Sequence, residues 1–326
     1  MFYLSSPSTD PYFNLALEEH VFSHLDRTKS WFLLWQNERT IVVGKYQNTA
    51  AEIDRAFVES RGIRVVRRLS GGGAVYHDLG NLNFTFIVDR QGQEAFNFRV
   101  FTQPVIRALA SFGVQAAFTG RNDLVIGGKK FSGNSQYVRN GRVLHHGCIM
   151  LDSNLEDVSA ALKAGPDKFR SKGVQSVRSR VTTINAHAPS PISMGDFRAA
   201  LLREVAAAEP LEPYTLTQED LEEVERLRRD RYAAWAWNYG ASPPYDVERT
   251  ERFPGGQVTA RVQVERGAIR SVRFSGDFFG EDVEALEKAL EGLPLDSSLE
   301  GALERLDVGR YLKGISAGEL RRLLAG

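Results

Sequence analysis

A chain of 326 residues is long enough for one or two domains, and its 42% hydrophobic and 25% charged content is that of an ordinary folded globular protein. Its 41 basic and 41 acidic side chains cancel, which argues against a general nucleic-acid binder. A single cysteine, Cys148, excludes an internal disulfide framework and a cysteine-based structural zinc site.

The amino terminus has neither the basic flank nor the apolar core of a secretory signal. No apolar run approaches the ~20 residues of a spanning helix. Both features predict a cytoplasmic protein with no membrane partner. Asp10-Pro11 opens a helix predicted over 10–25, with Phe13, Leu17 and Val21 on one face. Strands follow at 31–35 and 40–44, parted by a polar turn at 36–39. A helix at 50–60 leads into a strand at 63–66 and then a glycine-rich loop, with another strand at 84–88. An amphipathic helix covers 100–112, and a hairpin turns at Gly127-Gly128. One more strand is predicted at 142–151.

Residues 217–239 read as one long helix, acidic at its start and basic beyond, as the macrodipole favours. Gly240 to Pro244 then breaks the chain, dividing a catalytic domain, 1–243, from an accessory domain, 244–326. In the tail Val258, Ala260, Val262 and Val264 alternate along one strand and Ile269 to Phe274 returns. Helices are predicted at 283–290, 299–306 and 317–324, the last with a Ser316/Glu319 capping box. Strands and helices mixed without strict alternation predict an α+β fold: a large mixed sheet with packed helices plus a small C-terminal α+β unit.

The chemistry concentrates around Arg67-Arg68-Leu69-Ser70-Gly71-Gly72-Gly73-Ala74-Val75-Tyr76-His77. Three successive glycines are entropically costly and suit a backbone that approaches a ligand closely. The stretch matches neither the P-loop nor the dinucleotide fingerprint. Two readings stand: a turn with solvated arginines, or an anion cradle of N–H groups with Arg68 supplying charge. Lys129 and Lys130 alternate across a strand, so at most one faces the loop, where an ammonium would stabilise a phosphoryl or acyl transition state. His145 and His146 face opposite ways and cannot share one metal ion. Cys148, in an apolar strand, reads as a buried structural thiol, with a thioester nucleophile as the alternative.

Together these stretches resemble the bacterial lipoate–protein ligase A family of the biotin/lipoate ligase superfamily. The resemblance rests on residues 10–19, Val43-Gly44-Lys45-Tyr46-Gln47-Asn48, the loop 67–81, Gly120-Arg121-Asn122-Asp123-Leu124, Lys130-Phe131-Ser132-Gly133, His145-His146-Gly147, 172–182, Trp237-Asn238-Tyr239-Gly240 and the tail. It implies ATP-dependent ligation of lipoate, through lipoyl-AMP, to a lysine on lipoyl domains of 2-oxoacid dehydrogenase E2 subunits and on glycine cleavage H protein. By position, Lys130 is the catalytic lysine contacting both the carboxylate and the α-phosphate, selected over Lys129 by the Lys-x-Ser-Gly spacing. Arg68, Gly73, Ala74, Val75 and Tyr76 are expected at the nucleotide, and Gly72, Val75 and His77 at lipoate. Asn122, Asp123 and Ser70 are candidates for phosphate and Mg²⁺. Residues near Val75, Phe84 and Phe86 are expected to line an apolar slot for lipoate's tail.

Two alternatives stay open on the sequence. One is an ATP-independent octanoyl or lipoyl transferase working through a cysteine thioester; relatives of that type lack this tail and place their cysteine elsewhere. The other is a non-catalytic lipoate-binding protein, against which the retained Arg68, triple glycine and Lys130 argue. Biotin–protein ligase shares the architecture, but its basic glycine loop is absent.

Overall fold

The computed structural model describes residues 1–89, 97–120, 122–162, 180–239, 247–265, 267–295 and 298–325. The predicted boundary at 240–244, Arg121 and most of the 172–182 motif lie outside them. In chain order, β1 (Phe2–Ser5), α1 (Pro11–Ser23), β2 (Trp31–Trp35) and β3 (Thr40–Val43) come first. Two short helices, α2 (Thr49–Glu52) and α3 (Arg55–Ser60), lead to β4 (Arg64–Arg67), and the glycine loop joins it to β5 (Val75–His77) and β6 (Asn81–Asp89). Then follow α4 (Phe98–Ala110), β7 (Ala117–Thr119), β8 (Asp123–Ile126), β9 (Lys129–Arg139), β10 (Arg142–Met150) and α5 (Leu155–Ala161). After α6 (Met194–Ala208) and β11 (Glu212–Pro213) come α7 (Gln218–Leu227) and α8 (Trp235–Asn238).

Eight strands form one mixed sheet in the order β11-β1-β2-β6-β10-β9-β8-β7, and β4-β3-β5 form a second, smaller sheet. One face of the large sheet carries Phe32, Leu34, Phe84, Phe86, Phe131 and Ile149, packed against Val105 and Leu109 of α4 and Phe197 and Leu201 of α6. The other face packs Leu33 and Trp35 against Leu15, Leu17 and Val21 of α1 and against Val42 and Val66 of the small sheet. The candidate site lies between the two sheets.

The polar turn after β2 does not close a hairpin. It carries the chain from the large sheet to the small one. Asn14 on α1 secures that crossing, donating to Gln36 O at 2.8 Å and Asn37 Oδ1 at 2.9 Å. Helix α1 starts where predicted, with the Asp10 carboxylate accepting from Tyr12 N. The long helix predicted over 217–239 is broken instead. A wide π turn at Arg228–Tyr232 follows α7, and Ala234 is extended before the short α8. Buried Arg67 explains the break: it takes Trp237 O at 2.8 Å and Asn238 O at 3.0 Å, while Arg67 N donates to Asn238 Oδ1. Tertiary hydrogen bonds override helix propensity here.

The C-terminal domain has an antiparallel sheet of β12 (Val247–Phe253), β13 (Gly256–Glu265) and β14 (Ala268–Gly276). Helices α9 (Val283–Leu290), α10 (Leu299–Arg305), α11 (Val308–Tyr311) and α12 (Ala317–Ala325) complete it. Val258, Ala260 and Val262, alternating as predicted, enter a separate core with Phe274, Leu286, Leu303 and Leu320. The predicted capping box is present, with Ser316 N donating to Glu319 Oε2 at 2.8 Å. This domain rests on the glycine loop. Phe278 O accepts from Gly72 N at 2.8 Å, the Phe278 ring stacks on Tyr46, and Lys45 pairs with Glu284 at 2.8 Å.

Candidate active site

The two arginines before the glycines do different work. Arg67 points toward α8 and spends its guanidinium on the carbonyls of Gly44, Lys45, Gln47, Trp237 and Asn238. Arg68 points into the loop. Its Nη2 donates to Gly71 O at 2.7 Å and Gly73 O at 2.8 Å, its Nη1 to Val42 O and its Nε to Ser70 Oγ. Burial lowers both guanidinium pKa values to about 10, so both stay charged at neutral pH.

Those carbonyl contacts orient the loop. In a trans peptide the next N–H points opposite to the carbonyl, so drawing Gly71 O and Gly73 O inward turns the N–H groups of Gly72 and Ala74 outward. Gly72 N–H reaches Phe278 O in agreement. Gly72 adopts φ +86, and a Cβ on Gly71 would lie 2.3 Å from Phe278 O, so these two positions demand glycine for different reasons. The arrangement is an outward-facing donor surface over a buried positive charge. It can hold an anion.

Ser70, a phosphate or Mg²⁺ candidate on the sequence, is buried beneath the loop. Its Oγ meets His146 Nε2 at 2.6 Å, and His146 Nδ1 meets both carboxylate oxygens of Glu18 at 3.0 and 3.1 Å. Glu18 also accepts from Thr85 Oγ1, which accepts from Trp35 Nε1 at 2.9 Å. This chain of contacts ties the loop to α1 and the large sheet. Glu18 and His146 fall within stretches that carry the family resemblance, but the sequence assigned neither of them a role at the site. Glu18 sits on a helix that reads as plain core, and only the cross-sheet geometry gives it a role.

A slot runs between the loop and the large sheet, lined by Leu15, Trp35, Val42, Arg68, Gly72 to Val75, Asn83, Asn122, Lys130, Gly133, His146 and Cys148. It brings together Arg68, Gly72, Gly73, Ala74, Val75, Asn122 and Lys130, all candidates named from the sequence. Lys130 stands at its mouth over Gly133, where a Cβ would lie 3.0 Å from Nζ, and pairs with Asp123 at 2.7 Å. Strict alternation would put Lys130 and Gly133 on opposite faces. The register shift between Leu124 and Val125, where Lys130 opposes Val125 and Ser132 opposes Leu124, re-aims the lysine.

Three expectations fall elsewhere. Phe84 and Phe86 lie on the far face of the sheet, in the α4–α6 core, because Asn83 and Thr85 are the residues that period two turns toward the slot. The Tyr76 side chain points into the core beneath α5, with its hydroxyl toward Asp157, which leaves only its backbone near the loop. His77 sits beside Trp35 with Nδ1 at 3.2 Å from Asn37 Nδ2, and burial lowers its pKa to about 3, so the ring is neutral. Burial also raises the Cys148 thiol, which makes it a poor nucleophile. A larger cleft of about 1040 Å³ lies apart from this chemistry, with Lys45, Tyr137, Arg139 and C-terminal-domain residues including Glu284 and Arg310 around it.

Two family models match the chain. Residues 10–206 match the lipoyl protein ligase A/B catalytic domain, and residues 242–324 match the bacterial lipoate protein ligase C-terminus. The fold and loop thus define a lipoyl ligase catalytic domain followed by its accessory domain. The chain is 45% identical to lipoate–protein ligase 1 of Staphylococcus aureus over 97% of both chains, and it belongs to the lipoate–protein ligase family. P. falciparum LipL1, solved with lipoate, shares the fold at a TM-score of 0.81 over 99% of both chains, with 21% identity. Lipoate-protein ligase A bound with ATP superposes at 0.65 over 73% of this chain and 98% of that one, with 25% identity.

Proposed function

We propose that this chain ligates lipoate to a lysine of a lipoyl domain in two steps. The observation that carries the reading is Lys130 at the mouth of a slot whose opposite wall is the Arg68-braced glycine loop. A lipoate carboxylate oxygen attacks the α-phosphorus of ATP, the bond to pyrophosphate breaks, and lipoyl-AMP forms. The acceptor's amine then attacks the acyl carbon, loses a proton, and AMP departs with the bonding electrons.

Lys130 would offset charge on both the carboxylate and the α-phosphate, leaving Asp123 for them. The outward N–H of Ala74, and that of Gly72 once Phe278 O gives it up, would hold phosphate oxygens, and Leu15, Trp35 and Val42 would exclude water from the acyl chain. Among the described residues no cluster of three or more His, Cys, Asp or Glu could hold a metal. One carboxylate, Asp123, with Asn122 beside it, suits a Mg²⁺ carried mainly by the triphosphate, where the ion would neutralise the departing pyrophosphate.

E2 lipoyl domains and glycine cleavage H protein are the expected acceptors, in the cytoplasm. Among the described residues no helix is long and apolar enough to cross a membrane. The two units divide at about residue 243. Lipoate-dependent exchange of pyrophosphate into ATP tests the reading: exchange only with lipoate present supports it, and lipoyl transfer without ATP overturns it.

A further inference from the structure

Asn83 stands out in the slot. Its amide Nδ2 is buried and without a partner, while its Oδ1 accepts from Asn81 Nδ2 at 3.0 Å. An unmet buried donor is costly, so such a group in a binding slot is usually met by something that enters it.

Strand register shows where along the slot Asn83 lies. Gly133 on β9 pairs with Cys148 on β10, Cys148 pairs with Asn83 on β6, and Asn83 pairs with Trp35 on β2. Directly paired residues share a face, and all of these line the slot. Its floor therefore runs Gly133, Cys148, Asn83, Trp35, one strand spacing at a time, away from Lys130. Two spacings separate Gly133 from Asn83, about 10 Å. With its carboxylate at Lys130, an extended lipoyl chain lies over Gly133 and Cys148 with methylenes. Its sulfur-bearing ring reaches Asn83.

We propose that Asn83 is the residue that recognises the sulfur of the acyl substrate, its Nδ2 donating to a dithiolane sulfur and so favouring lipoate over sulfur-free acids of the same length. Disulfide sulfur is a weak acceptor, but a methylene accepts nothing, and a site built around a donor discriminates against the analogue that leaves it unmet. Leu15, Val42 and Trp35 supply apolar contact that cannot tell the two apart. The proposal rests on the lipoate-ligase reading and adds its specificity residue.

The test compares lipoate, octanoate and 5-cyclopentylpentanoate, which keeps the ring and spacer without sulfur, as substrates for pyrophosphate exchange. Wild type should favour lipoate over the carbocycle in kcat/KM by about tenfold. Asn83→Leu should bring that ratio to about one, mainly by improving use of both sulfur-free acids. Equal use of lipoate and the carbocycle by wild type overturns the proposal with no variant needed. So does an Asn83→Leu protein, folded by circular dichroism, that keeps the wild-type ratio. If no acid supports exchange, the ligase reading itself has failed.

Discussion

Lys130 Nζ and Asp123 Oδ1 stand 2.7 Å apart at the mouth of the slot, each side chain about one-third exposed. So exposed a pair contributes little to stability, and on the proposed mechanism the lysine would exchange partners when substrate carboxylate and phosphate arrive. Lys130→Ala should therefore cost the fold almost nothing and lower pyrophosphate exchange by 10²–10³-fold or more, about 3–4 kcal/mol of transition-state stabilisation. Exchange at near-wild-type rate in that variant would remove Lys130 from the mechanism.

The contacts linking Glu18, His146, Ser70 and Arg68 are buried throughout, so breaking them should act on both stability and nucleotide binding. His146→Phe leaves Glu18 without its main partner and should destabilise the protein by about 2–4 kcal/mol. Because Arg68 then loses its fixed Ser70 partner, KM for ATP should rise more than kcat falls. His146→Gln, which keeps a polar reach to Ser70, should recover much of the ATP affinity. A purely structural histidine would lower melting temperature and leave KM for ATP unchanged in both variants.

Cys148 lines the slot but is flanked by strand neighbours, with its thiol pointing to Gly133 O at 3.6 Å. Burial holds it protonated, and an acyl-adenylate needs no protein nucleophile. Cys148→Ser should retain most ligation. Complete loss of activity in a folded Cys148→Ser protein would restore the thioester route.

Much of this was legible in the chain. Period-two patterning gave β13 and β14, the Asp10-Pro11 start gave α1, and the loop with its lysine motif gave the family. What escaped depends on contacts distant in sequence. Arg67 breaks the helix over 217–239 from about 170 residues away, and one irregular register decides where Lys130 points. Phe84 and Phe86 were placed near the slot because β6 is buried on both faces, so its alternation of Asn81, Asn83 and Thr85 with Leu82, Phe84 and Phe86 separates two faces without saying which one meets the loop. Once the register is known, Asn83 and Thr85 mark the face at once.

Acid should unfold the protein through its buried imidazoles. His77 titrates near 6.5 when unfolded but at about 3 when folded, and burial lowers His145 as well. Between those values the unfolded chain binds a proton that the folded chain refuses, so stability falls as pH drops below 6.5. His77 contributes a slope of about 1.4 kcal/mol per pH unit in that window, and His145 acts in the same direction. Urea unfolding at pH 7 and pH 5 should differ by about 2 kcal/mol more in wild type than in His77→Gln. Identical pH dependence in the two proteins would show that His77 takes up its proton while folded.

The contact between the domains should bear on adenylation rather than transfer. Gly72 N–H, one of the outward loop donors, is taken by Phe278 O, and the Phe279 ring lies against Phe98 and beside Gly72. A triphosphate needing that donor must displace Phe278. The adenylate, having lost pyrophosphate, asks less of the loop. Deleting residues 240–326 removes the competing carbonyl but also uncovers Phe98 and Tyr46, so the loop loses its outer support. The truncated protein should still transfer lipoate from preformed lipoyl-AMP while its lipoate-dependent exchange falls. Gly71→Ala offers a milder version, since its Cβ would meet Phe278 O at 2.3 Å and push the C-terminal domain away with the chain intact. It should lower exchange in the same direction and spare transfer. If both proteins exchange pyrophosphate as fast as wild type, the accessory domain has no part in forming the adenylate, and the Phe278 contact is packing alone.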